Sequence, residues 1–197
     1  MLKVALTGGI GCGKSEVSSL FNKWGAYIFD ADTIAKNILN KNKTAQKELI
    51  SEFGSDVITI EGRIDKNKLS RIAFKNEYNQ LKLNTIIHPY VFQEIDLCFD
   101  KVLARGNHGI FIVDAALIYE SGADTHMDYV IVITSHLKIR TERVMNRGDL
   151  SRDEFLKRVE LQWPEKDKIE MADFIIHNNE SKDTLKKDAK KIYSQLQ

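Results

Sequence analysis

The sequence predicts an α/β fold in three layers, a parallel sheet between two layers of helix. Compact apolar runs rich in Val, Ile and Phe alternate with amphipathic stretches along the chain. A glycine-rich loop at residues 8–15 follows the first of these runs, and only two prolines and no low-complexity linker interrupt the 197 residues. The continuity of the apolar runs suits strands buried on both faces rather than strands with one wet face.

Residues 2–7 read as the first strand, running directly into the glycines. Val17, Leu20, Phe21 and Trp24 recur at i, i+3, i+4 and i+7, one buried helical stripe that Gly25 closes. Tyr27–Asp30 is the second strand. From residue 33 to 105 the pattern is almost wholly helical, with an interruption at 54–65. Pro89 is expected as the first residue of a helix ending near Gly106, because a helix start tolerates a missing N–H. Residues 109–114, Tyr129–Thr134 and Phe174–His177 supply three more strands, and Leu185, Ala189, Ile192 and Leu196 the buried stripe of a C-terminal helix. The reading is one α/β core with a helical insertion at about 36–90. A strongly charged segment at 148–170, containing Arg152, Arg158, Lys166 and Lys168, is either a mobile flap or a solvated helix pair.

Composition sets the class. With 43% hydrophobic residues, 29% charged residues and a formal net charge of +1, the chain reads as a soluble globular protein without the basic face of a nucleic-acid binder. No apolar run approaches the roughly 18 residues of a membrane span. The segment Met1-Leu2-Lys3-Val4-Ala5-Leu6-Thr7 is a poor match to a signal peptide. Cys12 and Cys98 form no metal-ligand spacing and no disulfide framework. The expectation is a cytoplasmic protein with reduced thiols, a monomer or small homo-oligomer that binds neither nucleic acid nor membrane.

The segment Gly8-Gly9-Ile10-Gly11-Cys12-Gly13-Lys14-Ser15 satisfies G-x-x-x-x-G-K-[ST], between a strand and a helix as the phosphate-loop reading requires. Gly9, Gly11 and Gly13 let the backbone turn tightly and aim successive N–H groups at phosphate oxygens. Lys14 places a point charge between the β- and γ-phosphates, Ser15 offers its hydroxyl to Mg²⁺, and the helix adds its positive end. The dinucleotide fingerprint G-x-G-x-x-G is excluded, since its last glycine, counted from Gly9, falls at Lys14.

A switch GTPase would carry N-K-x-D after a later strand, and none follows Tyr129–Thr134. The chain is short for an ATPase with mechanical parts. A small-molecule kinase needs an acceptor base, a carboxylate near Mg²⁺ and positive charge over the transferring phosphoryl group. Asp30 and Asp32 close the second strand, where parallel-sheet topology places the ligand crevice. Asp32 is either the base for an acceptor hydroxyl or a cap for the next helix, and Asp30 holds Mg²⁺ or a water. Asp114 ends the strand Ile110-Phe111-Ile112-Val113 in a Walker-B-like position suited to magnesium-bound water. Arg140, Arg143 and Arg147 share a helical face through their i, i+3 and i, i+4 spacings. They clamp ATP phosphates and stabilise transition-state charge, or they form a solvated basic face paired with Glu142.

These residues resemble the dephospho-coenzyme A kinase family. The resemblance lies in residues 6–15, in Asp30-Ala31-Asp32-Thr33-Ile34-Ala35 as D-A-D-x-I-A, and in His88-Pro89. It continues through Arg143 and Arg147, Arg158-Val159-Glu160-Leu161-Gln162 as R-[IV]-x-x-Q, and Ala172-Asp173-Phe174-Ile175-Ile176 with Asn178, so it runs the length of the chain in order. It implies a P-loop kinase core with a helical acceptor-binding insertion and a lid at 148–170. ATP and Mg²⁺ would serve the phosphorylation of the ribose 3′-hydroxyl of dephospho-coenzyme A. By this resemblance Asp32, Lys14 and Arg143 are catalytic. Gly9, Gly11, Cys12, Gly13, Lys14, Ser15, Glu16, Arg147 and Asn178 hold ATP, with Asn178 placed at the adenine. Asp32, His88, Leu117 and Arg140 hold the acceptor, and Ser15, Asp30 and Asp114 face the metal.

Three positions depart from the family pattern: Ala116 replaces the proline of P-L-L-[FV]-E, Cys12 a serine and Glu16 a threonine. The first loosens the loop at 116–120. The second puts a thiol at a helix N-terminus, where a lowered pKa is expected. The third adds a carboxylate favourable to the helix dipole but adverse to phosphate. Two other functions compete: a same-fold kinase for a nucleoside monophosphate or sugar acid, and a nucleotide-binding regulatory module without catalysis. Acceptor-dependent ATP consumption separates all three.

Overall fold

The computed structural model describes all 197 residues. Five strands lie where the apolar runs predict them: β1 (Leu2–Gly8), β2 (Tyr27–Asp30), β3 (Ile110–Asp114), β4 (Tyr129–Thr134) and β5 (Phe174–His177). They form one parallel sheet in the order β2-β3-β1-β4-β5, with helices on both sides. Central β1 has β3 on one side and β4 on the other, so strand order reverses beside it and a crevice opens at the carboxyl ends there.

The chain divides into two compact units, Met1–Asp30 with Leu97–Gln197, and Ala31–Asp96. The first contains the sheet. Alternate residues of its strands serve opposite faces. Val4, Leu6, Ile110, Ile112, Ile131, Ile133 and Ile176 pack with Val17 and Phe21 of α1 (Lys14–Lys23) and Leu185, Ala189 and Ile192 of α9 (Lys182–Gln195). Trp24 and Tyr193 seal this layer, with ring centroids 5.5 Å apart and the phenol donating to the Trp24 carbonyl at 2.6 Å. Gly25 closes α1 at a φ of 104°, in the left-handed region that favours glycine. On the other face Phe111 meets Tyr27, Phe29 and Phe99 at 5.3, 6.0 and 5.3 Å. The unit also holds α6 (Leu137–Arg147), α7 (Arg152–Glu160) and α8 (Glu165–Glu170).

The second unit contains α2 (Ala31–Lys41), α3 (Lys43–Phe53), α4 (Lys66–Ala73) and most of α5 (Glu77–Arg105). Asn42 and Asp65 cap α3 and α4 by accepting two backbone N–H bonds each. The expected interruption at 54–65 contains a 3₁₀ turn, Ser55–Val57, and an antiparallel bridge between Ile58 and Ile64. One expectation is corrected. Pro89 does not start a helix but lies inside α5, which begins at Glu77. An interior proline costs about 3 kcal/mol. Ile87, Val91 and Ile95 form a buried i, i+4 stripe running past it, and this burial offsets the lost hydrogen bond. No helix is long and apolar enough to cross a membrane.

Candidate active site

The loop at residues 8–15 leaves the end of β1 and enters α1, whose N-cap Gly13 has a φ of 100°. A Cβ at Gly13 would overlap the Asn178 amide, and one at Gly9 would come within 2.7 Å of the Arg140 guanidinium carbon. Gly13 is favoured by its left-handed backbone as well as by close approach, Gly9 by close approach alone. The loop carbonyls are held from outside. Arg140 Nε donates to the Ile10 carbonyl at 2.9 Å, and Asn178 Nδ2 donates to the Cys12 carbonyl at 2.8 Å. Arg143 adds a longer bond to the same Cys12 oxygen at 3.4 Å. A trans peptide points its C=O and N–H in opposite directions, so these donors aim the Gly11 and Gly13 N–H groups away from α6 and β5. That orientation is the one an anion-binding concavity needs.

Lys14 Nζ lies 2.9 Å from Asp114 Oδ1, at the last residue of β3. Asp114 is in register with Leu6 of β1 and with Asp30 of β2. The sheet therefore brings Asp114 and Asp30 to adjacent strand ends, and Lys14, the first residue of α1, meets Asp114 there. Ser15 is exposed at the start of α1. Glu16 is exposed too, and its carboxylate faces Lys182 Nζ at 3.6 Å.

The arginine row divides by environment. Arg140, expected at the acceptor, is 4% exposed and braces the loop, with Nη1 3.3 Å from Glu165. Arg143 Nη2 bonds the backbone and side-chain oxygens of Asn178 at 3.1 and 3.2 Å. Asn178 is 6% exposed, and its backbone oxygen also accepts from Ser135 Oγ at 2.9 Å. Arg147 is exposed at the end of α6, facing Asp149 at 3.8 Å. The expected solvated face thus holds for Arg147 only.

Cys12 is 1% exposed. Burial pushes its thiol pKa up, outweighing the Lys14 charge and the Lys14 backbone hydrogen bond, which lower it. The expectation of a lowered value at a helix N-terminus is corrected, because desolvation of the thiolate dominates inside the core.

Leu117 is half-buried in the loop after β3, whose Ala116 carbonyl is approached by Thr7 Oγ1 at 3.4 Å and by Gln162 Nε2 at 3.5 Å. Farther along, Glu120 Oε1 accepts from Lys168 Nζ at 2.6 Å and from the Trp163 N–H at 3.0 Å. The segment 148–170 forms a helix pair whose residues are mostly exposed, and two buried side chains anchor it. Its helices α7 and α8 bury Phe155 completely and leave Lys168 2% exposed. Burying a phenylalanine contributes roughly 1.5–3 kcal/mol, enough to hold a short helix down. A full capping box between Ser151 and Glu154 starts α7.

In the second unit, Asp32 is exposed in the first turn of α2, one residue inside the helix. His88 is half-buried in α5, its ring 6.0 Å from that of Phe92. Glu165 was missed by sequence reasoning. It accepts from the Thr134 hydroxyl and the Ser135 N–H, and pairs with Arg140. Nothing local in a charged run marks such a residue, because its partners lie 25 to 31 positions away.

No group of three or more His, Cys, Asp or Glu side chains converges to hold a metal ion. Asp30 and Asp114, with the Ser15 hydroxyl, still suit Mg²⁺, a hard cation that takes one or two carboxylates and leaves its other positions to phosphate and water.

A family model described as Dephospho-CoA kinase matches residues 2–183. A Dephospho-CoA kinase of Aquifex aeolicus is 35% identical over 196 residues, covering 100% of this chain and 98% of the relative. Among solved structures, a dephospho-CoA kinase from Campylobacter jejuni superposes with a TM-score of 0.69 at 30% identity, over 98% of this chain and 96% of that one. A shikimate kinase from Bacteroides thetaiotaomicron, with a TM-score of 0.56 and 13% identity over 99% and 98% of the two chains, shares the fold alone.

Proposed function

We propose how this chain, which belongs to the dephospho-CoA kinase family and phosphorylates dephospho-coenzyme A in coenzyme A biosynthesis, performs that transfer. The donor is ATP, with its phosphates in the loop at residues 8–15. The observation that carries this reading is the Lys14–Asp114 pair at the strand ends beside that loop. N–H groups of the loop and the N-terminal end of α1 hold the β-phosphate, and Lys14 follows the charge that develops on the γ-phosphoryl oxygens. Arg143 lends its positive charge from the Asn178 side of the loop. Ser15, Asp30 and Asp114 would hold Mg²⁺, which when bound neutralises β- and γ-phosphate charge.

Asp32 accepts the proton of the ribose 3′-hydroxyl as its oxygen bonds to the γ-phosphorus, and the bond from that phosphorus to the β–γ bridging oxygen breaks to release ADP. Asp30, two residues earlier, is fixed at the end of β2, so the base follows a rigid strand. The helical insertion with His88 and the loop carrying Leu117 hold the acceptor. The segment 148–170 serves as a lid that keeps water, a competing acceptor, from the γ-phosphoryl group. A coupled ATP-consumption assay tests the whole reading. Turnover with dephospho-coenzyme A and little with nucleoside monophosphates or gluconate is the expected result, and turnover with another acceptor alone would overturn it.

A further inference from the structure

We infer that Gln162 is a positioning residue for phosphoryl transfer, which sets the phosphate loop and the loop after β3 against each other through one amide. The inference rests on reading residues 8–15 as the loop that holds ATP phosphates.

Gln162 follows α7 and is half-buried. Its Oε1 accepts the Ile10 N–H at 3.0 Å, and its Nε2 donates to the Ala116 carbonyl at 3.5 Å. Both ends of the amide are used, one on each loop. The Ile10 carbonyl is taken by Arg140 Nε, so side chains from two elements grip Ile10 on both its backbone groups. The Ala116 carbonyl is shared with Thr7 Oγ1 at the end of β1, and the Ala115 N–H donates to the Leu6 carbonyl at 3.2 Å.

This geometry suits Gln better than any other residue type. The site needs an acceptor and a donor about 2 Å apart on one planar group, and a carboxamide supplies both without charge. Leu fills the space and bonds nothing. An ionised Glu keeps the acceptor but repels both the Ala116 carbonyl and a nearby phosphate. A protonated Glu restores the donor. The neighbouring tethers do not duplicate this function. Glu165 and Lys168 hold α8 through Arg140 and Glu120, whereas Gln162 bonds the backbone of the phosphate loop itself. The position of Ala116 sharpens its importance. Where the family pattern has a proline to stiffen the backbone, this chain has an alanine, and the amide of Gln162 restrains that carbonyl from outside.

Loss of the amide lets the two loops drift, and misplacement by about 1 Å can lower a rate roughly 100-fold without removing a catalytic group. The test uses the full chain with Gln162→Leu and Gln162→Glu, measuring ATP affinity, kcat and KM for both substrates, ATP hydrolysis without acceptor, and thermal midpoint. For Gln162→Leu the expected result is ATP affinity within about threefold of wild type, kcat lowered about tenfold or more, and a larger share of ATP lost to water. For Gln162→Glu, activity relative to wild type should rise as pH falls from about 6 toward 4.5, as its carboxyl, which ordinarily titrates near about 4.3, regains the proton. A residue that merely packs would let Gln162→Leu keep its kcat while its thermal midpoint falls.

If Gln162→Leu folds and keeps kcat within about twofold, the inference is overturned. If that variant does not fold, Gln162→Glu decides, and a flat activity ratio across pH overturns it equally. Failure of the phosphate-loop reading looks different: the wild type itself would bind no ATP, or Lys14→Ala would bind it unchanged.

Discussion

Lys14 and Asp114 form an ion pair, 2.9 Å apart, between the first residue of α1 and the last residue of β3, each side chain less than one-fifth exposed. In this arrangement Asp114 orients the ammonium, and in the proposed function each partner also serves a ligand of its own, Lys14 the phosphate and Asp114 the metal. Lys14→Ala should weaken ATP binding about tenfold or more and lower turnover further, since the missing charge counts most in the transition state. Asp114→Asn keeps a hydrogen-bond acceptor for Lys14 but loses the negative charge. It should raise the Mg²⁺ concentration needed for half-maximal turnover by about tenfold, while metal-free ATP binding changes little. Calorimetry with and without Mg²⁺, beside the coupled assay, separates the two.

Asp32→Asn should leave ATP affinity unchanged and lower kcat by roughly 100-fold or more, the range for a lost general base. Since α2 begins at Ala31, Asp32 lies inside the first turn, and its removal should cost the helix only a small dipole contribution of about 0.3–1 kcal/mol. A large fall in thermal midpoint with unchanged kcat would make it a helix-stabilising residue instead.

These residues were legible in the sequence for a physical reason. Strands buried on both faces write continuous apolar runs, so the ends of β1, β2 and β3 are visible, and the groups of the proposed site sit at or just after those ends. Lys14, Asp30 and Asp114 follow directly. The burial of Arg140 and Lys168 was not legible, because charged residue types read as solvated. Their burial depends on Glu165 and Glu120, partners that only the fold brings near. The choice between a flap and a helix pair at residues 152–160 stayed open for a related reason: Phe155 is the one residue of α7 that is fully buried, too few for a period to show. Pro89 misled because local rules favour it at a helix start, whereas the stripe of Ile87, Val91 and Ile95 overrides them.

Cys12 should resist modification. Burial raises its pKa above the ordinary thiol value, so at pH 8 its thiolate is scarce as well as shielded. Cys98, half-buried and bonded to the Tyr27 hydroxyl at 3.4 Å, should react first with a thiol reagent. Mass spectrometry after brief alkylation of the native protein should find the label on Cys98. Rapid labelling of Cys12 would show that the loop opens on that timescale.

Tyr119 is 4% exposed, and its hydroxyl has no hydrogen-bond partner. Burial, with smaller contributions from Asp124 and Asp173, pushes its phenol up to about 12. In the unfolded chain the same group ionises near its ordinary value of about 10. Between those two values the unfolded state releases a proton that the folded state keeps, so this tyrosine's contribution to stability is intact below pH 10 and declines as pH rises toward 12. Tyr119→Phe should abolish that decline. Removing an unpaired buried hydroxyl should also leave stability near neutral pH unchanged, or raise it by about 1 kcal/mol. Denaturant titrations of both proteins at pH 8 and pH 11 measure the difference.

Glu120 and Lys168 make a deeply buried ion pair, with side chains 8% and 2% exposed and a separation of 2.6 Å. Two opposed effects decide its worth. Bringing both charges out of water is expensive, so the pair as a whole contributes little net stability compared with apolar residues of similar shape. Breaking it is another matter. Lys168→Met leaves the Glu120 carboxylate buried, with one oxygen bonded only to the Trp163 N–H and the other already without a partner. The single substitution should therefore cost about 3–5 kcal/mol, whereas Lys168→Met combined with Glu120→Leu should recover most of that loss. A double-mutant cycle by chemical denaturation reads both values. If the single variant lost less than about 1 kcal/mol, the carboxylate would have taken up a proton or reached water, and the anchor holding α8 to the loop after β3 would be weaker than its burial implies.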